Sequence, residues 1–178
     1  MAKSEDNLNK RKVGILGGTF DPAHIGHLAI SKEAIKKFNL HYVIWAITKK
    51  NPFKNESGND LKKRVTKCKK IIKKNKSIKV KYYEDLIKSN KTIDLIKYLS
   101  KNKKMKLFFL MGADNLINFH KWYKWKQISQ KCNIIVFDRY GYKKKSLNSK
   151  TFKKLNKKQI TFVDFNKVNI SSSQLRKI

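Results

Sequence analysis

Short apolar runs alternate with segments of helical period along almost the whole chain, and that rhythm restricts it to few architectures. Runs near Val13 to Leu16, Tyr42 to Ile47, Ile78 to Tyr82, Lys106 to Met111, Asn133 to Phe137 and Thr161 to Val163 read as strands. Segments near Ile25 to Phe38, Asp60 to Lys74, Thr92 to Ser100 and Lys124 to Lys131 read as helices, and a last one begins near Ser172. The alternation predicts an α/β fold, a Rossmann-like doubly wound parallel sheet with helices on both faces, in one domain. The first twelve residues, MAKSEDNLNKRK, are polar and read as a frayed arm, which leaves residues 13–178 for the domain. The loop from Thr48 to Asn59 and the lysine-rich segment from Tyr140 to Ser149 are the expected mobile parts.

The junction after the first strand carries the densest chemistry. In GGTFDPAHIGH, Gly17 and Gly18 lack the Cβ that would keep a phosphate from the backbone, and the unpaired N–H groups of the following helix face any anion there. Thr19 adds a hydroxyl, and Pro22 is expected near the helix start, where its missing N–H costs nothing. His24 and His27 are three apart and should share a helix face, with Gly26 between them opening room for a base or a phosphate. Two imidazoles at such a place suit donation to phosphate oxygens. With Asp21 they could also form half of a metal site, but no Cys/His cluster of ligand spacing completes one.

The run GGTFDPAHIGHLAIS strongly resembles the HxGH nucleotidyltransferases, and within them the bacterial nicotinate-nucleotide adenylyltransferases. MGADNLINFHKWYKWKQI resembles that family's strand-end Gly-x-Asp with its Trp-Tyr loop, IIVFDRYGY its later strand ending in Arg, and ISSSQLR its ISSTxIR signature. The resemblance implies adenylyl transfer from ATP to nicotinate mononucleotide, giving deamido-NAD and pyrophosphate, with Mg²⁺ travelling with ATP. It implies that His24 and His27 stabilise charge at the α-phosphoryl group and that Gly17, Gly18, Thr19, Phe20 and Gly26 line the same pocket. Gly112, Asp114, Ser172, Ser173 and Arg176 are implied to complete the ATP site. For the acceptor it implies Trp122 stacked on the pyridine ring, Tyr123 and Thr92 meeting its carboxylate, and Lys54 and Arg139 as basic contacts.

Other readings stand beside these roles. SNKTIDL departs from the family's Ser-x-Thr-x-Asp-Thr run: Leu95 replaces the final Thr, and a residue is added between Ser89 and Thr92. Trp122 and Trp125 could instead be a core pair on a helix face, and Ser172 an ordinary N-cap. Family members usually continue past the ISSTxIR-like segment, so the closing helix reads as short or truncated.

Charge adds a hypothesis of another class. With 44 Lys+Arg against 12 Asp+Glu the net charge is +32, which admits a basic nucleic-acid-binding domain on the same fold. The lysines are dispersed, as in Lys62, Lys63, Lys67, Lys69, Lys70, Lys73, Lys74 and Lys76 of one helix, and read as solvated faces; specific nucleic-acid recognition is not expected. Nicotinamide mononucleotide remains the nearer rival acceptor. Cys68 and Cys132 have no metal or CxxC spacing and read as reduced thiols of a cytoplasmic enzyme, and no apolar stretch has the length of a membrane span.

Overall fold

Val13 and Ile15 point to one side of the first strand and Gly14 and Leu16 to the other, and this period of two organises the whole molecule. The computed structural model describes residues 10–50, 60–155 and 159–165. In chain order the elements are β1 (Arg11–Gly18), α1 (Ile25–Phe38), β2 (Tyr42–Ile47), α2 (Leu61–Ile72), β3 (Ile78–Tyr82), α3 (Glu84–Ile87), α4 (Thr92–Ser100) and β4 (Met105–Gly112). There follow α5 (Ala113–Asn118), a 3₁₀ turn at Phe119–Lys121, α6 (Trp125–Lys131), β5 (Asn133–Phe137), α7 (Lys143–Leu147), α8 (Lys150–Lys154) and β6 (Ile160–Val163).

The strands form one parallel sheet in the order β3-β2-β1-β4-β5-β6, the expected doubly wound arrangement. On one face Val13, Ile15, Phe109, Met111, Ile134 and Val136 pack under α4 to α6. On the other, Leu16, Val43, Trp45, Leu110, Ile135 and Phe137 pack against residues of α1 and α2. A side chain is excluded at Gly14, where a Cβ would lie 2.9 Å from Val43 and 3.0 Å from Leu40.

This order places the topological switch between β1 and β4, paired from Arg11↔Met105 to Leu16↔Leu110. The chain leaves β1 toward one edge and returns at β4 toward the other, so the connections diverge and open a crevice at the strands' carboxyl ends. Gly18 and Gly112 close the two strands at that crevice.

The structure alters some expected boundaries. Arg11 and Lys12, read as the end of an arm, begin β1, because Arg11 N–H donates to the Lys104 carbonyl and the strand pairs with β4 from its first residue. The segment expected to be a mobile loop contains α7, held by buried Ser146 and by an ion pair from Lys143 to Asp164. The helices α3, α5, α7 and α8 have four to six residues each, too short to show a periodicity. The closing helix near Ser172 lies outside the described residues.

Candidate active site

The turn after β1 is built around Phe20, which has a φ of 50°, the left-handed region a non-glycine residue enters only when its surroundings hold it there. The holding contacts are aromatic. Its ring is 1 % exposed, stacks on Trp45 of β2 at 5.0 Å and packs against His27 at 4.8 Å. The Phe20 side chain therefore turns inward beneath the histidine and supports it, whereas the resemblance implied a pocket-lining residue. Pro22 follows a cis bond and precedes α1 by three residues, so it shapes the turn and does not open the helix.

His24 is the N-cap of α1, with an extended backbone (φ −146°), and so lies just ahead of the helix it was expected to share with His27. The two rings still meet, with centroids 3.9 Å apart, because each closes half of a capping box. Gly26 N–H donates to His24 Nδ1 at 3.1 Å, and His24 N–H donates to His27 Nδ1 at 3.2 Å. An imidazole whose Nδ1 accepts carries its proton on Nε2 when neutral. Burial, and then the positive charge of Arg139, lower the His24 pKa from 6.5 to about 4, so this ring is neutral at pH 7. Gly26 is buried in the first turn, its N–H committed to the cap.

Two residues not singled out in the sequence hold His27 from behind. Ser31 Oγ donates to the His27 carbonyl at 2.8 Å and accepts from the buried Trp45 Nε1–H at 2.8 Å. Ser31 stands one turn after His27, a spacing that signals such a contact; Trp45 sits in an apolar run and carries no signal.

A third missed residue is Arg64 of α2, which is 2 % exposed. Its Nη1 donates to the carbonyls of Thr19 at 2.6 Å and Thr48 at 2.7 Å, and its Nη2 to that of Lys49 at 3.1 Å. The clue was positional: Arg64 is four residues before buried Cys68, in phase with the inward face of α2, not with the lysine face.

Across the crevice, Asp114 in the first turn of α5 accepts from Arg139 Nη1 at 2.7 Å on Oδ2. These two residues, assigned by resemblance to different substrates, form one ion pair. Asp114 Oδ1 is buried, without a hydrogen-bond partner among the described residues, and lies over Gly112, where a Cβ would collide with it.

Between these walls the ends of β1, β2 and β4 border a small, half-open cavity lined by Gly17, Thr48, Glu84, Thr92, Leu95 and Phe109 among others. Thr92 opens α4 there; Ser89 Oγ, which accepts Lys91 N–H, donates to Asp94 Oδ2 at 2.7 Å and fixes the preceding turn. Burial pushes the Glu84 carboxyl above its usual range, against the pull of Lys49 N–H. Trp122 packs against the core cluster and stands T-shaped to Phe109, a residue of the cavity wall, with centroids 6.0 Å apart. Tyr123 is 55 % exposed, and Trp125 packs on Phe119 within the core cluster. Lys54, Ser172, Ser173 and Arg176 lie outside the described residues. Among the described residues no three His, Cys, Asp or Glu side chains gather to hold a metal ion, and no helix is long and apolar enough to cross a membrane.

The cytidylyltransferase-like family model matches residues 15–178. A protein of Pelagibacter ubique named "Probable nicotinate-nucleotide adenylyltransferase" is 66 % identical over 100 % of both chains. One of the same name from Bradyrhizobium is 34 % identical over 86 % of this chain and 80 % of its own. Among solved structures, the nicotinic acid mononucleotide adenylyltransferase of Plasmodium falciparum complexed with NaAD superposes with a TM-score of 0.78 at 21 % identity, covering 94 % of this chain and 83 % of that one. That likeness is one of fold.

Proposed function

This chain belongs to the cytidylyltransferase-like family and, within it, to the nicotinate-nucleotide adenylyltransferases, and from that premise we propose that it transfers the adenylyl group of ATP to nicotinate mononucleotide. A phosphate oxygen of nicotinate mononucleotide attacks the α-phosphorus of ATP. The bond from that phosphorus to the bridging oxygen breaks, and deamido-NAD and pyrophosphate leave. Such a transfer needs two anions held in line and their charge offset, and no covalent intermediate.

The carrying observation is the capping box that commits both Nδ1 atoms as acceptors. His24, neutral at pH 7, and His27 would then each turn the Nε2 side of the ring toward phosphate oxygens at a helix N-terminus. The polypeptide from Arg11 onward acts as one nucleotidyltransferase domain. Gly17, Gly18 and Thr19 border the phosphates with these rings, and the family resemblance assigns further phosphate contacts to Ser172, Ser173 and Arg176, which lie outside the described residues. The cavity beside Thr92 takes the pyridine ring, with Trp122 backing its Phe109 wall and the α4 N-terminus favouring a carboxylate. The Asp114–Arg139 pair holds charge next to the nucleotide.

Mg²⁺ enters this reading as part of the ATP complex. Bound there it would neutralise phosphate charge.

The test is pyrophosphate release from ATP with nicotinate mononucleotide and nicotinamide mononucleotide compared side by side. Deamido-NAD formation with preference for the acid is expected. Turnover of neither, together with duplex DNA retained at physiological salt, would overturn the assignment in favour of a basic nucleic-acid-binding domain, for which the +32 charge speaks.

A further inference from the structure

Arg64 is a permanent cation inside the protein, and all three of its described hydrogen bonds end on main-chain carbonyls. A carbonyl held by a cation polarises its own peptide unit, so the N–H across the planar, trans amide becomes a stronger donor and points to the opposite side. One of these peptides exposes the logic. The Thr48 carbonyl accepts from Arg64, and the N–H of the same peptide, on Lys49, donates to the Glu84 carboxylate at 3.2 Å. The guanidinium, the peptide and an anion stand in series.

The Thr19–Phe20 peptide has the same cation on its carbonyl, at 2.6 Å. Its N–H belongs to Phe20, in the turn where Phe20 takes a left-handed conformation against the ring of His27. We propose that Arg64 is a positioning residue for adenylyl transfer, which orients and polarises the Thr19–Phe20 peptide so that Phe20 N–H donates to a nucleotide phosphate, as Lys49 N–H donates to Glu84. Arg64 itself touches no substrate; it acts through the peptide. The inference rests on the phosphate-binding reading of this turn given above.

Arg64→Lys and Arg64→Met test it, with wild-type turnover checking the underlying reading separately. Arg64→Lys keeps a cation and is expected to stay within about fivefold of the wild-type kcat, whereas Arg64→Met loses about tenfold or more in kcat with the KM for nicotinate mononucleotide nearly unchanged. The kcat is taken per folded molecule, from the amplitude of the unfolding transition: a merely structural arginine would lower the folded fraction and leave the kcat of the folded molecules unchanged. A second measurement uses the wild-type protein: the Phe20 amide resonance is followed by NMR as pyrophosphate or ATP is added. A downfield shift of that proton is expected. A folded Arg64→Met variant with unchanged kcat, or a Phe20 amide that stays in place while the nucleotide saturates, overturns the proposal. If Arg64→Met does not fold, the amide titration decides alone.

Discussion

His27 Nδ1 accepts the main-chain N–H of His24 at 3.2 Å, so the second histidine of the motif is oriented by the backbone of the first. With Gly26 N–H on His24 Nδ1, the start of one helix sets the ring tautomer of both residues. The pair is thus aligned before any nucleotide arrives, which is what electrostatic stabilisation of a transition state requires.

Replacing His27 by Ala removes half of the cap and, on the proposed reading, a donor to the charge that develops in the transfer. Steady-state kinetics should give a kcat lower by about a hundredfold, with modest change in the KM for ATP. An unaltered kcat would remove this ring from the reaction.

The pH dependence of stability follows from His24, lowered to about 4 from 6.5 mainly by burial. Between these values the unfolded chain binds the proton and the native one does not. The contribution is therefore complete above pH 6.5 and is lost as pH falls through 4. Urea midpoints measured from pH 7.5 to 4.5 should fall for the native protein and fall less for His24→Asn, which keeps a capping side chain. Parallel curves would assign the acid sensitivity to other groups.

Trp122 stands edge-on to Phe109 at the wall of the cavity. Trp122→Ala should raise the KM for nicotinate mononucleotide more than that for ATP. Equal rises would make the indole a core element only.

At Gly14 an added methyl meets Val43 and Leu40 at 3.0 Å or less. Gly14→Ala is expected to cost about 1–3 kcal/mol, the usual range for overpacking, read as a lower denaturant midpoint with an unchanged slope. A neutral result would mean that β2 shifts to admit the methyl.

The strands were legible because a parallel sheet buries both faces, so each strand is a nearly continuous apolar run such as YVIWAI of β2. The helix Ile25–Phe38 was equally plain. The helices α7 and α8 were not: five residues each, rich in lysine, they are fixed through Ser146 and Thr151, which only tertiary packing buries. Of the site, the glycine turn and the histidines were visible as a local motif. Ser31, Trp45 and Arg64 were not, since a serine, a strand tryptophan and one basic residue among many declare nothing until their partners are in place.

By itself the sequence determined the doubly wound class, the strand and long-helix positions and the phosphate-type turn, because periodicity, glycine placement and helix starts are properties of neighbours in the chain. Only the tertiary structure decided that Arg64 lies inside against Thr19, 45 residues away, and that Asp114 pairs with Arg139 across 25. Those contacts depend on the strand order, which brings the ends of β1, β2, β4 and β5 to one edge, and no local pattern encodes which ends will meet.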